Sequence, residues 1–174
     1  MTTPGKGDYG LGVEIHDLGG NRVITHGGAI EGFRGYLAYV PDRRIAVIVL
    51  GNVLGPAPDP MSRQLVDAIL GRPVTLASER KALPISKEDL ARFAGVYDLG
   101  PTLSLTIAIA GDVLTSQVNE QPPDRLMYQG IQDGHPRFYI PSLNFEIEFV
   151  PTADGSIASL VAHKNWGDLS GKRH

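Results

Sequence analysis

The chain has 174 residues, a net charge of −3, 42% apolar and 20% charged residues, and no cysteine. That length suits one ordinary domain or two small ones with a real core, and the composition is globular rather than disordered. The lack of cysteine excludes disulfides, thiolate metal sites and a cysteine nucleophile, and the acidic balance without a basic stripe argues against nucleic acid as a partner. No charged-then-apolar leader follows Met1, and no apolar run reaches the ~18 residues of a membrane span, so neither an export signal nor a span is expected. The compartment stays unknown on these grounds, since periplasmic and cytoplasmic proteins can both lack cysteine.

The opening MTTPGKGDYG is rich in turn formers and reads as loop. Its formal G-x-G-x-x-G at Gly5, Gly7 and Gly10 lacks the dinucleotide-binding context, because no strand precedes it and a strand rather than a helix follows. Over residues 10–17, Leu11, Val13 and Ile15 alternate with Glu14 and His16, the pattern of a half-buried strand. Leu18-Gly19-Gly20-Asn21 reads as a hairpin connection, and residues 22–26 as the returning strand. The stretch VITHGGAIEGF (23–33) then passes from a β-branched run into a glycine-rich turn carrying a lone histidine. Glycine there permits either tight turning or the close approach of a ligand to main-chain N–H groups. Residues 34–40 make a third strand, Pro41 opens a turn, and residues 45–50 make a fourth.

That fourth strand, IAVIVL, has no polar alternation, which in an antiparallel sheet implies that both faces are covered. One helix is available to it. Asp59 suits the N-cap, Pro60 the first helical position and Gly71 the C-terminal stop, with Met61, Leu65, Ile69, Val66 and Leu70 as its apolar stripe. One helix covers one face, and the cover for the other is missing from this sequence. Residues 72–85 read as a linker, followed by a short helix that Ser86 and Asp89 cap, that Leu90 and Phe93 anchor and that Gly95 ends. From Val96 on, short alternating strands are expected at 103–109, 113–118, 125–130, 137–140, 145–150 and 157–163, with turns at Gly111-Asp112, Pro122-Pro123, Asp133-Gly134 and Asp154-Gly155. Even spacing of this kind argues a small barrel or sandwich, since closure removes exposed edges. The expected class is α+β: an incomplete antiparallel sheet with a packing helix (1–71), a linker (72–85) and a small antiparallel barrel (86–174).

The histidines His16, His26, His135, His163 and His174 share no metal-ligand spacing, so no metal and no cofactor is expected. There is no G-x-S-x-G elbow. Glu146 and Glu148 lie on one face of a strand and read as the wet side of a barrel wall rather than an acid–base pair.

Tyr9-Gly10-Leu11-Gly12-Val13-Glu14, His26-Gly27-Gly28, Gly32-Phe33, Tyr39-Val40-Pro41-Asp42 and Ile48-Val49-Leu50-Gly51-Asn52 together resemble the closing sheet of the serine β-lactamase and penicillin-binding-protein family. The similarity is greatest to its class C-like branch, with the esterases and peptidases. In that family a lysine- or histidine-led triplet lies on the strand bordering the active site, and His26-Gly27-Gly28 matches it. The resemblance implies that His26 lines the pocket and donates to a substrate carboxylate or carbonyl, and that the Ala29 N–H is half of the oxyanion hole. A strand with small residues can aim such donors at a developing negative oxygen.

The family also requires a serine with a lysine one helical turn later, and a tyrosine or serine motif ending in asparagine. Ser78-Glu79-Arg80-Lys81 has the first spacing but lies in the linker, after the triplet rather than before it; Ser142-Leu143-Asn144 has the second but lies among the barrel strands. Neither is assigned a catalytic role, and the nucleophile is absent from this sequence. Residues 90–174 resemble the small lipocalin-like domain appended to such hydrolases, on Phe93-Ala94-Gly95-Val96-Tyr97, Gly111-Asp112-Val113-Leu114 and the stretch Val161-Ala162-His163-Lys164-Asn165-Trp166-Gly167.

The expectation is therefore the C-terminal part of a serine hydrolase acting on an ester, amide or β-lactam. Its substrate would be a small acyl compound, and the parent could be periplasmic or secreted. The alternative is a non-catalytic module holding a small ligand or a partner in the barrel, with Leu105, Ile107, Phe138, Phe145 and Phe149 lining a cavity. An uncovered sheet should also drive self-association.

Overall fold

The computed structural model describes residues 3, 5, 7–53 and 55–174, which form two compact units, Met1–Val74 and Thr75–His174. Met1, Thr2, Pro4 and Lys6 of the turn-rich opening lie outside the described residues.

The first unit is a four-stranded antiparallel sheet in the order β1 (Glu14–Leu18), β2 (Asn21–Ile30), β3 (Phe33–Val40), β4 (Ile45–Gly51), followed by the helix α1 (Pro58–Ile69). The β1–β2 hairpin forms as its residues demand, with Gly19 and Gly20 at φ +62° and +80°, the pair of left-handed angles that a type I′ turn needs. Strand β1 begins at Glu14 rather than residue 10. A turn closed by Gly10 N–H on the Val13 carbonyl, with Gly12 at φ +78°, precedes it, and Leu11 is exposed.

The helix α1 starts at Pro58 with Ala57 at the N-cap, two positions before the expected Pro60 and Asp59. It stops at Gly71 (φ +72°), where Gly71 N–H bonds the Ala68 carbonyl and Arg72 N–H the Asp67 carbonyl, closing the last turn. Its buried face meets the expected stripe at Val66, with Leu70 half-buried, but departs from it elsewhere. Pro58, Ser62 and Val66, spaced four apart, are buried, whereas Met61, Leu65 and Ile69 stay about half exposed. The helix packs against β3 and β4 through its smaller side chains, which allow close approach, and presents the larger ones outward.

In the second unit, α2 (Lys87–Ala91) is capped by Ser86, whose hydroxyl accepts from the Asp89 N–H at 3.0 Å. Nine strands follow: β5 (Gly95–Gly100), β6 (Leu103–Ala110), β7 (Val113–Val118), β8 (Asp124–Arg125), β9 (Met127–Gln132), β10 (His135–Ile140), β11 (Phe145–Pro151), β12 (Ile157–Lys164) and β13 (Gly167–Arg173). Their sheet order is β8-β7-β6-β5-β13-β12-β11-β10-β9. The two edge strands β8 and β9 are separated along the chain only by the buried Leu126, so the sheet must curl until its edges adjoin. It is a nearly closed barrel. Strand β13 joins the two meanders through Lys172↔Asp98 and Arg173↔Tyr97, and Arg173 clamps the seam by donating to the carbonyls of Arg92, Ala94 and Ile157.

The barrel interior is filled by its own side chains. Phe93 lies 5.0 Å from Phe138 and 4.8 Å from Phe149, and Tyr97 lies 5.8 Å from Phe149, ring centre to ring centre. Leu105 and Ile107 join the same cluster, with Phe145 packed at its margin. Tyr97 donates to the Phe93 carbonyl at 2.8 Å, and burial pushes its phenol up to about 12 against the opposing charge of Arg173.

The outer wall is less wet than expected. Glu148 is buried and Glu146 half-buried. Glu148 accepts from His135, from His163 at 3.0 Å and from Arg137 at 2.5 Å, and Arg137 also reaches Glu146 at 3.1 Å. His163 contacts Asp168 at 3.1 Å through its other ring nitrogen. Burial pushes the Glu148 carboxyl up, but the bonds from His135 and His163 and the Arg137 charge outweigh it, leaving it below the usual carboxylate range. A carboxyl held low in the folded state contributes stability above its unfolded value, and that contribution fades as pH falls through the folded value. Glu148→Gln is therefore expected to destabilise the barrel by about 1.5–3 kcal/mol at pH 7, the range for a hydrogen bond to a charged group. Its melting temperature should also change less than the wild type's between pH 7 and pH 3. Parallel thermal melts of the two proteins across that range check both.

Candidate active site

Strand β2 does not turn at the glycines. His26, Gly27, Gly28 and Ala29 continue it, paired with Leu37, Tyr36, Gly35 and Arg34 of β3, and the chain reverses only at Glu31-Gly32. The glycines serve close approach instead. A Cβ on Gly27 would lie 2.9 Å from two ring atoms of Tyr36, so that ring covers the strand there.

The register decides where the main-chain donors point. Both hairpins close with two-residue loops, Leu18↔Asn21 and Ile30↔Phe33 being the closing pairs. Such closing pairs exchange hydrogen bonds, and bonded and non-bonded pairs then alternate. Counting back from Ile30, Gly28 and His26 turn their N–H groups to β3, while Ala29, Gly27 and Thr25 turn theirs to the β1 side. Counting from Asn21 assigns Thr25 to the β1 side as well, so the two hairpins agree. Pairing with β1 ends at Glu14↔Thr25. The N–H groups of Gly27 and Ala29 therefore face an edge that no described strand pairs.

Side chains alternate with the same register. Ile24, His26, Gly28 and Ile30 share a face with Phe33, Gly35, Leu37 and Tyr39 of β3 and with Ala46, Ile48 and Leu50 of β4. This is the face away from the buried Val23, Ala38, Val40 and Val47, and it is open: Leu50 is 81% exposed, Ile30 73%, Ile48 65% and Phe33 57%. His26 is exposed beside it. In the facing pair Gly28↔Gly35, the space over Gly28 is open, while the Leu50 side chain leans over Gly35, where a Cβ would come within 3.1 Å of it.

The opposite face carries a buried polar group. Thr25 is met by His16 Nε2 at 3.1 Å and by the Tyr36 hydroxyl at 3.3 Å, and His16 lies 3.3 Å from Glu14. Burial above all pushes the Tyr36 phenol up, helped by the charges of Asp59 and Glu14 and opposed by its bond to Thr25. Tyr36 is held neutral and acts as a hydrogen-bond donor rather than a base. This group was not foreseen, although His16 and Thr25 both stood on strands whose facing could be read.

The formal catalytic spacings do not assemble here. Ser78 lies in a single 3₁₀ turn, Ala77–Glu79, that ends before Lys81, so the two are not one α-helical turn apart. Asn144 sits at φ +53° in the β10–β11 turn and accepts from the Tyr139 hydroxyl at 2.7 Å.

Sequence comparison finds the Beta-lactamase family model over residues 1–72. A D-aminopeptidase of Brucella ovis is 36% identical over 76 residues, which are 44% of this chain and 14% of that protein. A D-aminopeptidase of Brucella anthropi is 36% identical over 67 residues, 38% of this chain and 13% of that protein. The octameric penicillin-binding protein homologue from Pyrococcus abyssi superposes with a TM-score of 0.40 at 20% identity, over 94% of this chain and 36% of that one. The matched part of the chain thus spans about one seventh of the length of the D-aminopeptidases. Its first 72 residues carry the similarity to the β-lactamase-like hydrolases, and the open edge of β2 lies within them.

Proposed function

We propose that this chain is the C-terminal part of a serine β-lactamase-like hydrolase and supplies one wall of its acyl-transfer site. The observation that carries the reading is the unpaired stretch of β2, where Gly27 and Ala29 aim N–H groups past a bare apolar sheet face. In the complete enzyme a serine from outside this chain attacks the substrate carbonyl. The carbonyl oxygen becomes negative as the tetrahedral species forms, and the Ala29 N–H donates to it. Collapse expels the leaving amine or alcohol with its proton, and water then releases the acid from the serine ester. His26, on the open face one step before Gly27, donates to the substrate's carboxylate or distal carbonyl. The D-aminopeptidase relatives make an amide next to a D-residue the substrate class to test first.

The bare face beside this edge belongs against another portion of the same polypeptide, and without it the face drives self-association. The barrel-module alternative gains no support, because Phe138 and Phe149, two of the rings expected to line a cavity, pack on each other and on Phe93.

The test is covalent labelling by a fluorophosphonate or a fluorescent penicillin. The isolated chain is expected to take no label and to hydrolyse neither nitrocefin nor D-alanine p-nitroanilide. Mixed with a separately made serine-bearing portion of a matching D-aminopeptidase, it should restore labelling on that portion's serine. Labelling of the isolated chain at Ser78 would overturn the reading.

A further inference from the structure

Glycine gives a strand no side chain to pack and a backbone with extra freedom to lose, so Gly27-Gly28 is a weak place in β2. It is also where β2 has left its β1 partner, since that pairing ends at Glu14↔Thr25. Tyr36 backs this stretch. It faces Gly27 in the ladder, and by the alternation counted from Ile30↔Phe33 theirs is a non-hydrogen-bonded pair, the kind whose side chains approach most closely. Its ring occupies the space of the missing Gly27 side chain, two ring atoms lying 2.9 Å from where a Cβ would be. The Tyr36 hydroxyl reaches on to the diagonal neighbour Thr25 at 3.3 Å, and the buried Thr25 also meets His16 at 3.1 Å. The ring is thus tied at its far end and laid across the strand. On the other face, a Cβ at Gly28 would meet no described atom within 4 Å, so the backing is one-sided.

We propose that Tyr36 is a positioning residue for the oxyanion site: its ring, anchored on Thr25, props Gly27 from the buried face and thereby fixes the direction of the Ala29 N–H. The inference rests on the hydrolase reading given above. An aromatic ring laid over a strand glycine restores the packing that the glycine lacks. An oxyanion donor acts by being in place before the charge develops, and a misplacement of about 1 Å can cost about 10²-fold in rate.

Two measurements on the full chain test it. NMR relaxation of the backbone amides reads the prop without any chemistry. Tyr36→Leu is expected to lower the order parameters of Gly27 and Ala29 from about 0.85, the value of rigid backbone, to below about 0.6, while Ile24 and Leu37 stay rigid. Tyr36→Phe, which keeps the ring, should leave them all as in the wild type. In the assembly with the serine-bearing portion, Tyr36→Leu should slow single-turnover acylation about 10²-fold at an unchanged KM, and Tyr36→Phe should acylate at close to the wild-type rate. Gly27→Ala probes the same contact from the strand, because its methyl must displace the ring. Its loss and that of Tyr36→Leu should not add in the double variant, as expected of groups in contact. Gly27 and Ala29 still rigid in Tyr36→Leu would overturn the prop. Mobile amides with wild-type acylation, or losses that add, would overturn the positioning role and leave the hydrolase reading intact. A wild-type assembly that does not acylate would sink the hydrolase reading and the positioning role with it.

Discussion

Ala29→Pro is expected to leave the first sheet folded while lowering acyl transfer about 10²–10³-fold in an assembly that includes the serine-bearing portion, the loss typical of removing one oxyanion donor. Proline takes away an N–H, and the register shows which N–H groups β2 can spare. Ala29 points its donor at the unpaired edge, so no ladder bond is lost, and proline is tolerated at such positions. Gly28, one residue earlier, donates to Gly35 across the ladder. Gly28→Pro should therefore cost about 3 kcal/mol and open the β2–β3 hairpin. The pair of variants separates a structural role from a chemical one. Amide exchange at Tyr36 and Leu37 reports the hairpin, and single-turnover acylation reports the chemistry. A folded Ala29→Pro protein that acylates at the parental rate would remove Ala29 from the oxyanion site, whatever the family resemblance says.

The residues that made these elements legible were those whose local chemistry leaves little choice. Gly19-Gly20 and Asp133-Gly134 both take paired left-handed angles, so their hairpins could be placed from sequence. Ser86 caps α2 as its spacing to Asp89 implied. The lack of a cover for one face of β4 was also readable, because a strand without polar alternation demands two covers and only one helix follows. Errors arose where a long-range partner decided. Gly27 and Gly28 looked like a turn, yet the ring of Tyr36 over Gly27 and the facing Gly35 hold them in the strand. Strand β13, GDLSGKR, has neither β-branched residues nor clean alternation, and it is a strand because β12 and β5 offer it an edge on each side. Of the expected α1 stripe Val66 is buried while Met61, Leu65 and Ile69 are not, because two rows of side chains are available and the sheet accepts the slimmer one. The Glu148 group could not be seen at all. His135, Glu148, His163 and Asp168 are spread over four strands, and only the barrel order brings them together.

The largest effect on stability is expected at Phe149. Its ring is fully buried, within 5.8 Å of the rings of Phe93, Tyr97 and Phe138. Phe149→Ala removes the side chain on which three others rest and leaves a cavity that the surrounding strands, tied into their ladders, can fill only in part. Loss of transfer energy and the cavity together cost about 3–5 kcal/mol at such sites. In a unit of this size that corresponds to a fall of about 15–30 °C in melting temperature. The total stability of a small domain is about 5–15 kcal/mol, so the variant barrel should sit at the margin of folding. Ile131→Ala, at an exposed position of β9, is the control, expected to change stability by about 0.5 kcal/mol or less. Near-ultraviolet circular dichroism, which reads packed aromatic rings, should lose its fixed signal in Phe149→Ala well below the wild-type transition. A shift of a few degrees would mean that the four rings do not share one rigid core, and that the barrel's stability resides in its ladders instead.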